Sequence, residues 1–310
     1  MNRIIDLKKN VGQFKTNLLV KNCVGGVANN SKPYLNIVFQ DATGIMDGKK
    51  WEVLPEDEKI LTPGLVVEVD GTVLSYRGNM QIKVNSVKSI DQKSINMTDF
   101  VHTCPIEHEA LLNELDSDLN LIEDKDIKAI TEHIIKNNYE KYTTHPAAVS
   151  VHHAFYGGIL FHSLSMCRQA LKISEQYPFL NRDYLIAGCL LHDIGKTVEL
   201  NGNIATSFTD EGKLLGHINI GAMIVDEAAN ELNITGEAPL ILKHIILSHH
   251  GLPEYGSAVL PKTAEAFVIH ALDELDSKLN ILETALNEVE KGKYTSKIIY
   301  LDNRQFYKTK

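Results

Sequence analysis

The chain has 310 residues, a length typical of about two domains, and its 44% hydrophobic and 23% charged residues are typical of a globular protein. Its apolar runs fall short of the roughly 18 to 20 residues of a membrane span, and the N-terminus lacks the apolar segment and cleavage site of a signal peptide. The net charge of -9 divides into +3 on residues 1–97 and -12 on the remainder, so a mildly basic module precedes an acidic one.

Residues 14–90 have the alternation of short β-strands. Leu35, Ile37 and Phe39 fall on one face of a strand, and the residues between them fall on the other. Turn-forming sequences separate this segment from later ones with the same period. About five short strands in so small a region favour a Greek-key barrel, and we expect its OB-fold version. The later segments contain Leu65, Val67 and Val69, and then Met80, Ile82 and Val84.

After about residue 98 the period of the apolar residues changes to that of helices. Ile127, Ile130 and Ile134 are spaced for one face of a helix. A long helix is predicted from Thr263, which suits the N-cap position, to about Glu290. The second half of the chain is therefore predicted to be all-α.

This change of period predicts a multidomain protein: a small all-β OB-fold domain at 1–97, followed by an all-α domain at 98–310. As an OB-fold, the first domain is expected to bind nucleic acid. Residues 91–105 are the expected joint. Scattered cysteines without a CxxC pair argue against a disulfide framework and a cysteine zinc site, and they suit a reducing cytoplasm. The cysteines are Cys23, Cys104, Cys167 and Cys189.

Histidines and aspartates at the edges of predicted helices carry most of the chemistry of the second domain. A divalent metal site needs imidazole and carboxylate ligands and open positions for water and substrate. Any one such histidine is more often a core or surface residue. Their order is the stronger signal: one histidine, a His-Asp pair, one histidine, a His-His pair and an aspartate. The set is His162, His192, Asp193, His217, His249, His250 and Asp273.

This ordered set resembles the HD superfamily of metal-dependent phosphohydrolases, and His217 with the His249-His250 pair resembles its two-metal members. Further stretches are similar to the YhaM-type 3′→5′ exoribonucleases of low-GC Gram-positive bacteria, which also carry an OB domain ahead of the HD domain. One departure is Phe161, at a position where an acidic residue is expected in that family. The similar stretches are HHAFYGG at 152–158, LSHHGLPEYGS at 247–257 and DELDSK at 273–278.

The resemblance implies a site for two divalent ions. It favours Mn²⁺, although ligands of these types also accept Fe, Co, Ni or Zn. Asp193 would bridge the two ions and so take part in catalysis. The first ion would be held by His162, His192, Asp193 and Asp273, and the second by Asp193, His217 and one or both of His249 and His250.

By the same resemblance, the chain is expected to hydrolyse single-stranded RNA from its 3′ end to nucleoside 5′-monophosphates. Single-stranded DNA is a second candidate substrate, and assembly into a homo-oligomer stays open. Lys196 is expected to contact a phosphate oxygen and stabilise developing charge, with an exposed loop lysine as the alternative. His152 and His153 are expected to bind phosphate or donate a proton to the leaving group, although ordinary loop histidines explain them almost equally well.

Single-strand binding by the first domain would need basic side chains beside aromatic faces. Three clusters offer this combination, and in each case ordinary strand aromatics with solvated cations are about as good an explanation. The alternation places Tyr34 on the face opposite Leu35, away from the barrel core. The clusters are Lys32 with Tyr34, Lys49 and Lys50 with Trp51, and Tyr76 with Arg77.

Two other functions are compatible with the residues. An HD phosphohydrolase could act on a small nucleotide or a cyclic dinucleotide, although the Gly-Tyr-Pro segment of cyclic-dinucleotide phosphodiesterases is replaced here by Gly251-Leu252-Pro253. A non-catalytic nucleic-acid-binding protein could use the OB-fold alone. The intact ordered ligand set counts against the second alternative, because a pure binding protein has no need for it.

Overall fold

A computed structural model describes residues 3–28, 31–76, 79–101, 104, 106–148, 155–202 and 206–310. The chain forms two compact units, Met1–Thr103 and Cys104–Lys310. The predicted fold class, an all-β barrel followed by a helical domain, is confirmed. Within the described part of the chain, no helix is both long and apolar enough to cross a bilayer.

The first unit is a closed five-stranded barrel in which neighbours follow the order β1-β2-β3-β5-β4. The β3–β5 pair is parallel and the other pairs are antiparallel. Closure leaves no edge strand of the sheet unpaired. Two short helices, α1 (Ile4–Leu7) and α2 (Pro55–Ile60), accompany the strands. The strands are β1 (Gly12–Val27), β2 (Pro33–Asp41), β3 (Gly44–Trp51), β4 (Val66–Tyr76) and β5 (Asn79–Ser89).

The barrel interior is filled by the alternating residues of its strands, as their period predicts. Leu35, Ile37 and Phe39 of β2 are buried. Gly48 of β3 lets the neighbouring strand approach, because a Cβ there would stand 2.6 Å from the ring of Phe39. The packing of the core therefore requires glycine at position 48 as well as the apolar side chains.

Nine helices are described in the second unit, and their apolar faces enclose one continuous core. The predicted apolar face of α4, including Ile127, Ile130 and Ile134, is buried in this core. A two-stranded sheet of β6 (Leu200–Asn201) and β7 (Ser207–Phe208) adds a small departure from the all-α prediction. The helices are α3 (His108–Asn120), α4 (Lys125–Asn137), α5 (Tyr139–Thr144), α6 (Gly158–Gln176), α7 (Arg182–Leu191), α8 (Lys196–Glu199), α9 (Asp210–Glu231), α10 (Glu237–Ser248) and α11 (Ala264–Asn287).

Local sequence explains where the long helices begin and bend. The Thr263 hydroxyl accepts from the backbone N–H of Ala266, so α11 starts at the predicted N-cap. The helix predicted to open at His217 in fact begins earlier, after the N-cap Thr209. It is interrupted at Gly216, whose φ of 72° is left-handed, and His217 starts the segment after this kink.

Candidate metal centre

The C-terminal end of α7 approaches α9, just after the kink of α9, at a glycine. His192 is the C-cap of α7, and Asp193 follows it directly. A Cβ at Gly195 would lie 2.0 Å from the carbonyl oxygen of His217, so only glycine permits this approach. The contact brings His217, just after the kink of α9, to the His-Asp pair.

A second glycine positions the His-His pair. His249 is the C-cap of α10, and Gly251 has the left-handed φ of 79° expected after a helix end. A Cβ on Gly251 would stand 2.3 Å from the ring of His270, whose Nδ1 donates to the carbonyl oxygen of His249 at 2.8 Å. His270 of α11 thus fixes the end of α10.

The first histidine and the last aspartate come from α6 and α11. His162 is buried on α6, and its Nε2 lies 3.1 Å from Oδ1 of Asp273 on α11. Its Nδ1 lies 2.8 Å from Oδ2 of Asp276, one turn further along the same helix. Two carboxylates of one helix face therefore hold the two nitrogens of this ring.

All seven predicted ligands converge in space. Asp193 is central, because its Oδ1 lies 3.6 Å from Nε2 of His217 and 3.8 Å from Nε2 of His249. Asp273 joins the set through its contact with Nε2 of His162. Two groups could each hold an ion, with ligand atoms within 4.8 Å of one another: one is His162, His192 and Asp193, and the other is His217, His249 and His250.

Four of the converging atoms are buried and have no hydrogen-bond partner among the residues that the structure describes: His192 Nε2, Asp193 Oδ1, His217 Nε2 and His249 Nε2. A buried polar atom left unpaired costs about 1–3 kcal/mol. Four together at one place are therefore better explained by a ligand than by packing. Imidazole nitrogens and a carboxylate oxygen are the donors that a divalent metal uses, so the residues fit such an ion.

Three histidine rings are oriented by backbone carbonyl groups. A carbonyl oxygen only accepts, so each ring must donate from Nδ1, and the lone pair of Nε2 is left for a metal. The pairs are His192 with Cys189 at 2.9 Å, His249 with Ile246 at 2.7 Å and His250 with Tyr255 at 2.7 Å.

The other two rings are held by carboxylates that sequence reasoning missed. One oxygen of Glu199 accepts from the backbone N–H of His217 at 3.0 Å and lies 3.1 Å from its Nδ1. Oδ2 of Asp276 lies 2.8 Å from Nδ1 of His162, and its other oxygen accepts a hydrogen bond from the Ser165 hydroxyl. The spacing of Asp276 three residues after Asp273 was a usable signal. No comparable pattern marked Glu199.

Phe161 departs from the acidic residue expected in the resembled family. Its ring stands at 5.7 Å from that of Phe155 and packs against the helical core. A carboxylate nevertheless reaches His162, because Asp276 supplies it from α11. Position 161 on α6 is therefore apolar, while the His162 ring still has an acidic partner.

Electrostatic interactions favour the metal-binding protonation states of Asp193 and His249. Burial raises the pKa of the Asp193 carboxyl, but the Lys196 ammonium and the His192 ring outweigh it, and the pKa lies well below its usual range. Burial and the neighbouring His250 hold the pKa of His249 well below its ordinary value. A carboxylate among neutral imidazoles is the form that binds a divalent ion.

The α11 side of the site holds a proton more firmly. Burial lowers the pKa of His162, but hydrogen bonds to Asp273 and Asp276 outweigh it and raise the pKa to about 10. Burial raises the pKa of Asp273, and its bond to His162 reverses that effect, so the carboxyl pKa is lowered. A metal ion at His162 therefore competes with a proton.

Lys196 is buried, and its ammonium lies 2.7 Å from Oδ2 of Asp193. The expected contact with a phosphate oxygen stays a prediction, but the lysine is at the site. His152 and His153, the other predicted catalytic residues, lie outside the described residues.

On the barrel, the rings of Tyr34 and Trp51 face each other at 5.1 Å, with the ammonium of Lys49 4.8 Å from the first ring. Lys50 does not belong to this surface. It is buried, and its ammonium lies 3.3 Å from a carboxylate oxygen of Asp57, because strand alternation turns it inward. Of the two adjacent lysines in the predicted cluster, only Lys49 lies beside the rings, and the prediction of Lys50 as a nucleic-acid contact is wrong.

Of the other predicted nucleic-acid contacts, Tyr76 lies beside the same surface. Lys32 and Tyr76 are exposed. Tyr76, Trp51 and Lys49 line a cavity of about 320 Å³. Arg77 lies outside the part of the chain that the structure describes.

Comparison with known proteins finds matches to two different families in the two parts of the chain. Residues 159–278 match the HD domain family, and residues 20–90 match a family described as an OB-fold nucleic acid binding domain. The chain is 40% identical over 297 residues to a protein of Geobacillus sp. (strain WCH70) named 3′-5′ exoribonuclease YhaM. The alignment covers 96% of this chain and 92% of that protein.

Solved structures show weaker similarity. One is a replication protein A heterotrimer bound to single-stranded DNA, 20% identical, with a TM-score of 0.21 over 26% of this chain and 59% of that chain. Another is the second OB-fold domain of replication protein A from Methanococcus maripaludis, 22% identical, with a TM-score of 0.22 over 26% of this chain and 86% of that chain. Similarity of this degree bears on neither substrate nor activity.

Proposed function

The chain belongs to the YhaM family of 3′→5′ exoribonucleases, and on that premise we propose that it shortens single-stranded RNA from the 3′ end and releases nucleoside 5′-monophosphates. The resemblance read from the sequence is confirmed, and so is the assignment as a metal-dependent nuclease with an HD domain and an OB-fold. Single-stranded DNA is a second substrate to be tested. The four free cysteines support a reducing compartment, the cytoplasm.

One observation carries the proposal: four buried atoms of metal-binding type, which have no hydrogen-bond partner among the described residues, lie close together. Mn²⁺ is the ion we favour, and Fe, Co, Ni and Zn suit the same donors. Asp193 would contribute to both ions of a pair. His162, His192, Asp193 and Asp273 would hold one ion, and Asp193, His217, His249 and His250 the other.

Hydrolysis of a phosphodiester needs a nucleophile, and it needs positive charge to stabilise the negative charge that develops on the phosphate. A pair of divalent ions held by these residues would supply a water of lowered pKa and positive charge to stabilise the phosphoryl oxygens. Lys196 keeps Asp193 ionised with one N–H, and its ammonium has further donors for a phosphate oxygen. Glu199 and Asp276 hold the rings of their histidines in place before the substrate arrives.

The barrel would hold the strand whose end is cleaved. Tyr34 and Trp51 offer ring faces on which bases of any type can stack, and Lys49 stands over both rings at 4.8 and 5.4 Å. Lys32 and Tyr76 extend the exposed surface. Such a surface has no preference for sequence, as a nuclease that shortens RNA of any sequence requires.

The test uses RNA labelled at its 5′ end, incubated with the purified protein and Mn²⁺ or a chelator. We expect a ladder of products that shorten stepwise from the 3′ end, with no cleavage under the chelator. Single-stranded DNA and a panel of small nucleotides run in parallel. Hydrolysis of small nucleotides alone would assign a small-molecule phosphohydrolase, and binding without turnover would assign a non-catalytic OB-fold protein.

A further inference from the structure

The last twenty residues differ in charge from the rest of their unit. Residues 291–310 hold six of the 18 basic residues of 98–310, but one of its 30 acidic residues. The segment therefore has a net charge of +5, against -17 for residues 98–290. A local cationic region on an acidic unit attracts polyanions that the rest of the unit repels.

This segment folds into an ordered hairpin. The backbone N–H of Thr295 donates to Phe306 at 2.9 Å, and that of Ile298 donates to Arg304 at 3.0 Å. Its turn contains Asp302, a non-glycine residue with positive φ. The side chain of Ile298 is buried. We name residues 291–310 the basic hairpin.

Cations and aromatic rings share its exposed surface. Tyr294 is 64% exposed and Tyr300 is 61% exposed. Lys291, Lys293 and Lys297 are exposed, and their ammonium groups have no partner among the residues described. Free cations interleaved with exposed rings are what single-stranded nucleic acids bind, through the phosphates and the base faces respectively.

The hairpin is anchored to the helix that carries the metal-site aspartates. The ammonium of Lys308 donates to the carbonyl oxygens of Leu286 at 2.8 Å and Val289 at 3.0 Å, at the C-terminal end of α11. Asp273 lies 14 residues before Asn287, the last residue of α11, which is about 21 Å at 1.5 Å per residue. A strand cleaved beside Asp273 could therefore reach the hairpin a few nucleotides from its 3′ end.

We propose that the basic hairpin binds single-stranded RNA a few nucleotides upstream of the cleaved 3′ end. The proposal rests on the proposed function, and it adds a binding surface within the helical unit itself. RNA is favoured over an anionic membrane or a second copy of the chain, because nucleotide bases can stack on the exposed aromatic rings between the lysines.

The test compares a triple variant, Lys291→Gln with Lys293→Gln and Lys297→Gln, with a control of the same charge change, Lys125→Gln with Lys136→Gln and Lys172→Gln. The control lysines are exposed on the same unit. We expect the hairpin variant to raise the KM for a long unstructured RNA by about tenfold and to reduce the salt slope of RNA binding by about 2, at roughly 0.7 per lost phosphate contact. The control should change neither.

Substrate length separates this role from a structural one. The ratio of kcat/KM for the long RNA to that for a dinucleotide should fall in the hairpin variant, because a dinucleotide is too short to reach the hairpin. Tyr300→Ala should weaken RNA binding at least about fivefold with little change of salt slope, as loss of a stacked base does. An equal loss for both substrates, or no loss for either, overturns the proposal.

Other occupants give different results. If vesicles of phosphatidylcholine and phosphatidylserine bind the wild type but not the hairpin variant, while RNA binding is unchanged, the surface binds membranes and the proposal fails. If only self-association is lost in sedimentation, the surface is a contact between copies and the proposal fails. If the wild type never shortens RNA, the proposed function fails, and RNA binding by the two triple variants still decides the hairpin.

Discussion

The barrel and the metal centre place their candidate functional residues in opposite environments. On the barrel, Tyr34, Trp51 and Lys49 lie on the outer face of strands, and the core beneath them is complete without a ligand. In the helical unit, His192 and Asp193 are buried, and their unpaired atoms make the packed interior itself incomplete. A binding surface on strands can lose one residue and keep the rest, whereas a buried centre depends on every member.

The sharpest test of this contrast removes the central carboxylate. Asp193→Ala should abolish RNA shortening, because the first ligand group loses Asp193 itself and the second loses the oxygen that faces His217 and His249. RNA affinity, measured by fluorescence anisotropy, should stay nearly unchanged, because the binding surfaces lie elsewhere. Asp226→Ala, an exposed aspartate of the same unit, is the control and should keep both properties. Equal loss of cleavage and binding in Asp193→Ala would contradict the division of roles.

Two adjacent lysines of β3 offer the next largest effect. Lys50→Ala should lower the free energy of unfolding by roughly 3 kcal/mol or more, because it leaves the buried Asp57 carboxylate without its partner. Lys49→Ala should weaken RNA binding and leave stability within about 0.5 kcal/mol. Urea unfolding and anisotropy on both variants check this pair. If Lys50→Ala were stable and deficient in RNA binding, the assignment of the outer face would be wrong.

The supporting carboxylates should have a smaller effect on the metal. Glu199→Gln and Asp276→Asn each leave a ligand histidine less firmly oriented, and such losses lower metal affinity about 10- to 100-fold. Calorimetric titration with Mn²⁺ measures the affinity and the number of ions bound, independently of activity. Glu211→Gln, exposed on α9, is the matched control. Unchanged affinity in both variants would show that the histidines need no carboxylate support.

The smallest effect concerns an unpaired buried atom outside the metal centre. Burial, with Glu114 nearby, raises the pKa of Asp118 to about 6, and one of its oxygens has no partner in the described residues. The folded state therefore binds more protons than the unfolded state between about pH 4 and 6, and the stability of the protein falls as pH rises through this window.

Asp118→Asn removes that cost. Above pH 6 the variant should be more stable by about 1–2 kcal/mol, because the roughly 3 kcal/mol equivalent to a pKa rise from 3.8 to about 6 is reduced by solvent screening of a partly solvated carboxyl. The two proteins should converge below about pH 4. Thermal unfolding across pH measures the difference. A gain that did not depend on pH would mean that Asp118 titrates normally, and that its unpaired oxygen is no strain on the fold.

Much of the molecule was predictable because its signals are local or ordered along the chain. Period two identified the buried residues Leu35, Ile37 and Phe39, and the capping preference of threonine identified the start of α11 at Thr263. The seven metal-type residues were recognisable from their order, since an unusual sequence of histidines and aspartates rarely arises from packing alone. The fold class and the identity of the converging set therefore followed from the amino-acid sequence.

Only the tertiary structure decided which side chains support that set and which face solvent. Glu199 and Asp276 have no pattern of their own, and they matter because the kink at Gly216 and the packing of α6 on α11 bring histidines to them. Lys50 turns inward because it follows Gly48 by two residues, and Asp57 is there to receive it. Local sequence sets periods and helix ends, but the partner of a buried charge is set by which distant segment packs against it.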